Sequence, residues 1–293
     1  MIQNQPPVVQ VPIFWSLFLK SIQYYRGTFK NLLILTVVSY LPFFVIGRFT
    51  RVDLADPMEL LHGFLLDILI CLALPTIINQ GKVYPLATFK IFQDYFAQVV
   101  VIILGQMFLI FFLMAFFSSF GLVFLFVSLL PFVFVLFTGQ FALVNGKTKI
   151  MELSENVSAS FSLVKGNFRL VLFGYLNISS LMVLPILIFS MYYIGSHSTA
   201  AHLLEASESA KVAGGVPLQD IVGEIKGIVD EEGYQNGRLV VHLLVRPLKS
   251  LFMALLFAHL LQLIAPDKYN RFFKMAESEG DDLFSRQEFN HKE

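Results

Sequence analysis

The sequence predicts an all-α, polytopic membrane protein, and three observations lead to that fold class. Of its 293 residues, 56% are hydrophobic and only 14% are charged, whereas a soluble domain carries about 25% charged residues. The mean hydropathy is +0.69. The apolar runs are continuous, as in membrane-spanning helices, and do not alternate as the strands of a membrane barrel do.

The same composition excludes several other classes of protein. A chain this rich in apolar residues, with 32 phenylalanines, does not have the composition of a disordered segment. A single cysteine excludes a disulfide scaffold, and a net charge of zero without a long basic run excludes a nucleic-acid binder. The predicted partners are membrane lipids, together with either another membrane protein or a second copy of the chain.

Hydropathy and chain length predict six membrane spans within one membrane domain that covers residues 1–293. A helix needs about 20 mostly apolar residues to cross the hydrocarbon core, and the uncharged stretch at residues 95–146 is long enough for two such helices. The small and polar residues from Ser118 to Gly121 mark the turn between them. The predicted spans are at about residues 31–49, 59–80, 96–117, 122–144, 170–194 and 239–264.

The positive charges predict the orientation of these spans. Fourteen of the 21 lysines and arginines flank the spans on one side, and positively charged loops stay in the cytoplasm. Both termini are therefore predicted to be cytoplasmic, with a polar tail at residues 267–293. The acidic segment at residues 196–237 becomes an external loop, in which apolar residues repeat at helical spacing between Leu218 and Val229.

An internal repeat precedes two of the spans. Residues 21–30 and 160–169 share the pattern S-x4-[RK]-G-[TN]-F-[KR], and a looser copy lies at residues 84–95. The repeat predicts three hairpins of two spans, each preceded by a cytoplasmic amphipathic helix. We interpret it as a determinant of topology rather than a binding motif, with cations at the lipid headgroups and glycines at a flexible corner. The residues in these roles are Arg26, Gly27, Lys165 and Gly166.

Three stretches of the sequence resemble one family of membrane proteins. They are Phe14 to Lys30 before span one, Leu130 to Lys147 at span four, and Ser158 to Leu163 before span five. This layout is similar to that of the YciC-like family of bacterial inner-membrane proteins and, more distantly, to the membrane domain attached to some glycerophosphodiester phosphodiesterases. The resemblance implies six helices in a bacterial inner membrane and no established molecular activity. Because no soluble phosphodiesterase domain is recognised, the resemblance does not imply that activity.

Charged residues within the predicted spans form the candidate functional site, because a charge at membrane depth is expensive and usually functional. Asp67 lies eight residues into span two and Arg246 lies eight residues after Arg238, so both are about 12 Å deep at 1.5 Å per residue. We expect an ion pair between Asp67 and either Arg246 or Lys249, which is one turn further on. In the alternative, the two cations extend toward the headgroups, or span six begins near Ser250. The other polar residues in the spans are expected to form hydrogen bonds between helices: Gln106, Gln140, Asn177 and His259.

No sequence motif identifies a catalytic, cofactor-binding or metal site. The chain has no HExxH, GxSxG or GxxxxGK[ST] motif, and His197, His202 and Glu205 do not have a common zinc-site spacing. The sequence therefore predicts a non-enzymatic envelope, lipid-interacting or scaffold protein that needs no cofactor. The alternative is a small transporter or channel that uses Asp67 with Arg246 or Lys249.

Overall fold

The computed structural model describes residues 10–50, 55–118, 133–145, 153–197, 226–229 and 231–272. Every regular element in these ranges is a helix, which confirms the predicted all-α class. Short helical segments lie at residues 133–135, 226–229 and 266–272. The principal helices are α1 (Gln10–Thr50), α2 (Ala55–Gln80), α3 (Pro85–Ser118), α4 (Thr138–Val144), α5 (Leu153–His197) and α6 (Glu232–Ile264).

Five of these helices contain a stretch that is long and apolar enough to cross a membrane. Many side chains on their outer faces are apolar as well, including Phe108 and Met191, which are 73% and 76% exposed. Exposed apolar faces of this extent are typical of a surface that lipid covers, and they support the predicted multi-pass membrane protein. The stretches are Ile13–Val45, Leu61–Gln80, Pro85–Leu109, Ser154–Ser196 and Glu232–Ile264.

The helix boundaries differ from those of the predicted spans and of the predicted external loop. Predicted spans one, two, three, five and six lie inside α1, α2, α3, α5 and α6, but these helices are longer than the spans. In the predicted external loop, residues 232–237 are helical because α6 begins at Glu232, an acidic residue of the kind that stabilises a helix N-terminus. Residues 122–132 of span four, residues 198–225 of the loop and the tail after Phe272 lie outside the described residues.

In α1 and α3 the predicted amphipathic helix and the span that follows it form one continuous helix, whereas α5 is kinked between them. α1 passes through Gly27 without a break, so the prediction of a corner at that glycine is wrong. The physical reason is a buried stripe that continues on both sides of Gly27, through Leu17 and Leu35, because a bend would pull one half of the stripe out of the core. In α5 a non-helical residue, Asn167 (φ −131°, ψ 24°), does follow Gly166 directly.

The chain divides into two compact units, and the first comprises residues 1–176 and 247–293. Within it, α2 packs against α1, α3 and α4. The core of this unit is rich in phenylalanine. The ring centroid of Phe257 lies 5.5 Å from that of Phe137 and 5.3 Å from that of Phe141, distances at which aromatic rings attract each other.

The second unit comprises residues 177–246. Its described part contains the second half of α5 and the first half of α6, which meet around Tyr234. The Tyr234 hydroxyl lies 2.8 Å from Oγ of Ser190, and its ring centroid lies 5.9 Å and 5.6 Å from those of Phe189 and Tyr193. These contacts explain why the helix continues into residues that the sequence predicts as loop.

Candidate intramembrane polar site

Asp67 lies on the side of α2 that packs against α6. Its carboxylate accepts a hydrogen bond from Oγ of Ser250, which is fully buried. The neighbouring side chains of Leu66 and Ile68 are at most 2% exposed. Asp67 itself is half-buried, and a donor stabilises a carboxylate that has lost part of its water. The hydrogen bond therefore places Asp67 beside the residue that follows Lys249.

Lys249 is buried and lies over an aromatic ring. Its side chain is 9% exposed, and Nζ lies 4.8 Å from the centroid of the Tyr175 ring in α5. This distance is within the range of a cation–π interaction, which stabilises an ammonium group that has lost part of its water. Asp67, Tyr175, Lys249 and Ser250 thus form a polar cluster at the meeting point of α2, α5 and α6, which we call the Asp67 cluster.

Arg246 belongs to the second unit and is half-buried. Within the part of the chain that the structure describes, its buried Nε has no hydrogen-bond partner. Lys249 and Asp67 belong to the first unit. The ion pair that the sequence predicts between Asp67 and either Arg246 or Lys249 stays a prediction.

His62 forms a second buried polar contact on α2. Its Nε2 lies 3.0 Å from Oγ of Ser39 and 3.2 Å from the carbonyl oxygen of Thr36, both in α1. The ring also packs edge-on against Tyr40 and Phe43. A histidine that bridges two helices in this way stabilises their packing. Among the described residues, no group of three His, Cys, Asp or Glu side chains is placed to hold a metal ion.

Removal of the Ser250 hydroxyl is expected to weaken the fold. Ser250→Ala leaves the Asp67 carboxylate without this donor, and a hydrogen bond to a charged group contributes about 1.5–3 kcal/mol. We expect the free energy of unfolding, measured by circular dichroism in mixed detergent micelles, to fall by that amount. The matched control is Ser162→Ala, because Ser162 is exposed on α5. Equal stabilities of the two variants would contradict the role of Ser250.

The helix of predicted span four is interrupted just before α4. Leu136 and Phe137 form a turn between the helical segment at residues 133–135 and α4. Ser160 of α5 bridges this turn, because its Oγ donates to the carbonyl oxygen of Phe134 at 2.8 Å and accepts from the Phe137 N–H at 3.2 Å. Buried backbone groups need partners. Ser160 therefore supplies hydrogen bonds that a continuous helix would form within itself.

A cavity lies beside the same turn. The carbonyl oxygen of Val135 accepts hydrogen bonds from Nε2 of Gln106 and Oγ1 of Thr138, both at 2.8 Å. Gln106 belongs to α3, so its predicted hydrogen bond between helices is confirmed. The cavity has a volume of about 240 Å³ and is lined by α3, by Val135 and Thr138 on either side of the turn, and by Val157 near the start of α5. An interrupted helix is tolerated at membrane depth where it is buried in protein or lines a cavity.

A polar network joins the end of α4 to the start of α5 and to the segment at residues 266–272. Nδ2 of Asn145 donates to Oδ1 of Asn156 at 2.6 Å, and Nζ of Lys268 donates to Oδ1 of Asn145 at 3.0 Å. Beside it, burial raises the pKa of the Tyr269 phenol above its ordinary value, and the nearby Tyr24 phenol adds to this effect. Tyr269 is therefore neutral at physiological pH.

The repeat residues that the sequence singles out are all exposed: Arg26, Gly27, Lys165 and Gly166. The role of Arg26 and Lys165 at the headgroups stays a prediction, whereas the corner expected at the glycines is absent at Gly27 and has a counterpart only in the kink that follows Gly166. Sequence reasoning missed the serine of the same repeat. Ser21 and Ser160 are both fully buried. The sequence did carry a signal for this burial, because a serine recurs at the same position of both copies of the repeat. That position lies on the buried face of each helix.

Several polar side chains of the first unit share one arrangement, in which a group on one helix binds a group on another. Asp67 with Ser250, Gln106 with Val135 and Ser160 with the turn before α4 all follow it. This arrangement holds helices together.

In comparisons with known proteins, no family model, no curated protein and no solved structure matches this chain.

Proposed function

We propose that the chain is a non-enzymatic, multi-pass protein of a bacterial inner membrane that interacts with lipids and supports or scaffolds other components of the envelope. The observation that carries this proposal is that the polar groups of the Asp67 cluster bind each other across helices. Ser250 donates to Asp67 and Lys249 lies over Tyr175, with Lys249 and Ser250 buried and Asp67 and Tyr175 half-buried. A transport path needs polar groups that line a water-filled route, whereas polar groups that bind each other between helices hold the helices together.

The finer architecture in this proposal is six spans arranged as three hairpins, with both termini in the cytoplasm. Its support is the distribution of charge, with 14 of 21 cations on one side of the predicted spans. The resemblance to the YciC-like family, which carries no established activity, agrees with this layout. The proposed partners are membrane lipids and either another membrane protein or a second copy of the chain.

One observation favours a second candidate function, a small transporter or channel. The turn at Leu136 and Phe137 interrupts a helix that the sequence places in the membrane, and transporters often build their substrate sites from such discontinuous helices. Asp67 with Arg246 or Lys249 would then be the coupling pair. Arg246 lies four residues before Ser250 in α6, whose hydroxyl binds Asp67.

Electrical recording from the reconstituted protein separates the two functions. We expect planar bilayers of phosphatidylethanolamine and phosphatidylglycerol that contain the purified chain to show the conductance and proton flux of protein-free bilayers, because the polar groups of the Asp67 cluster bind each other. The matched variant is Asp67→Asn, which keeps the size of the side chain and removes its charge. A flux well above that of protein-free bilayers, abolished by Asp67→Asn, would overturn the scaffold proposal in favour of the transporter.

A further inference from the structure

The cavity beside the interrupted helix has the properties of a site for a hydrocarbon chain. Apart from Gln106 and Thr138, its lining is Val, Ile, Leu and Gly, and both polar side chains already donate to the carbonyl oxygen of Val135. An apolar cavity of about 150 Å³ stays dry and binds benzene. A volume of about 240 Å³ is therefore large enough for a segment of an acyl chain.

The cavity is continuous with a face of α3 that is exposed and apolar. Gly105 in its wall is exposed, and no atom lies within 4 Å of the position that a Cβ would take there. Around the helix, Phe108 lies about 60° and Leu104 about 100° from Gly105, and these two side chains are 73% and 57% exposed. In a helix long and apolar enough to cross a membrane, such a face is in contact with lipid, so lipid has direct access to the cavity.

Charges on this face complement the headgroup of a phospholipid. At 100° per residue, Lys90, Val101, Gly105 and Phe108 lie within about 60° of one another around α3. Lys90 is exposed, and so is Asp94 one turn further on. Lys90 lies about 9 Å before residue 96, where span three is predicted to begin, and the depth of about 15 Å that one acyl chain occupies in a leaflet covers about ten further residues, to Gln106. A phosphate near Lys90 and an amine near Asp94 thus place the chain at the cavity.

We propose that this cavity binds one acyl chain of a phosphatidylethanolamine molecule whose headgroup lies at Lys90 and Asp94. The proposal deepens the lipid-interacting function proposed above and rests on α3 being a membrane span. The bound chain covers the wall at Gly105 and reaches the side chain of Val157. It packs beside the turn before α4 and fills space that the helices leave open.

Photo-crosslinking tests this site. The probe is a phosphatidylethanolamine that carries a diazirine on one acyl chain, present in vesicles of phosphatidylethanolamine and phosphatidylglycerol that contain the full chain. Peptide mass spectrometry locates the adducts. We expect adducts at the cavity residues Ile102, Leu109 and Val135 to exceed those at the exposed reference residue Met191 by about tenfold, the ratio that corresponds to about 1.4 kcal/mol of preference.

Two substitutions distinguish the site from general contact with lipid. A Cβ at Gly105 meets no atom within 4 Å, so Gly105→Leu places a side chain in the wall of the cavity and is expected to reduce the cavity adducts about tenfold, with no change at Met191. Its matched control is Gly166→Leu, because Gly166 is equally open but lies outside the cavity. Lys90→Gln is expected to reduce the cavity adducts several-fold. Circular dichroism melting confirms that each variant is folded.

The proposal is overturned if the wild-type adducts are no more frequent at the cavity than at Met191, or if Gly105→Leu leaves them unchanged. Unchanged labelling of Lys90→Gln would overturn the headgroup assignment. These outcomes are independent of the electrical recording, which tests the proposed function. An Asp67-dependent conductance with intact cavity labelling would remove the scaffold function and leave the lipid site in place.

Discussion

Replacing Ser160 with alanine is expected to destabilise the protein more than any other loss of a single hydroxyl in the described residues. Ser160 is fully buried, and its Oγ satisfies two backbone groups, the Phe134 carbonyl and the Phe137 N–H. Each buried group left without a partner costs about 1–3 kcal/mol. We therefore expect Ser160→Ala to lower the free energy of unfolding by about 2–4 kcal/mol, measured in mixed detergent micelles by circular dichroism.

The chain provides its own controls for this prediction. Ser158 and Ser162 flank Ser160 in α5 and are both exposed. Their alanine variants make the same chemical change in the same helix, and surface substitutions usually change stability by less than about 0.5 kcal/mol. If all three alanine variants unfold at the same denaturant concentration, Ser160 does not support the turn. Ser160→Thr keeps the hydroxyl and is expected to retain more stability than Ser160→Ala.

This serine shows why part of the site was not predictable from sequence. The pattern around Ser160 indicates a helix, and that helix is present. What the pattern cannot show is the interruption at Leu136 and Phe137, because an apolar run such as residues 122–144 has the same composition whether the helix is continuous or broken. The partners of Ser160 are two backbone groups 23 and 26 residues away. Every residue has such backbone groups, so the sequence does not show which of them need a side-chain partner.

The need of Asp67 for a polar partner, in contrast, can be predicted from the sequence. A single carboxylate in an apolar stretch is visible in the sequence, and the expectation that it needs a polar partner follows from solvation energy alone. The partner observed in the structure is the hydroxyl of Ser250, one residue from the predicted Lys249. The position of the charge can thus be predicted from the sequence. The identity of its donor cannot, because it depends on how α6 is rotated about its axis, and small differences in packing determine that rotation.

The helix lengths show a third limit of prediction from sequence. Hydropathy predicts the apolar core of each span, and α1 and α5 contain the first and fifth spans. It does not predict that α1 continues through Gly27, because a glycine flanked by cations is typical of the boundary between an amphipathic helix and a membrane span. The continuous buried stripe from Leu17 to Leu35 decides the outcome. Tertiary packing overrides local preference here, as it often does for a single glycine in a helix.

The second large effect is expected at Gly139, where α4 approaches α2 closely. A Cβ at this position would lie 2.8 Å from Cδ1 and 3.0 Å from Cγ1 of Ile68, and Ile68 is only 2% exposed, so its side chain would have to shift within a packed core. Overpacking of a tight core costs about 1–3 kcal/mol. We expect Gly139→Val to lower the free energy of unfolding by about 2–3 kcal/mol, measured as for Ser160→Ala.

A double-mutant cycle shows whether the clash with Ile68 is the cause. Ile68→Ala removes the two atoms that the new side chain would meet, so its combination with Gly139→Val should cost clearly less than the sum of the two single variants. The matched control is Gly27→Val, because a Cβ at Gly27 has no atom within 4 Å. Additive losses in the cycle, or equal losses at Gly139 and Gly27, would mean that helix propensity and not close packing explains the effect. A coupling of about 1 kcal/mol or more would show that the absence of a side chain at Gly139 sets the spacing between α2 and α4, and with it the position of the turn that Ser160 stabilises.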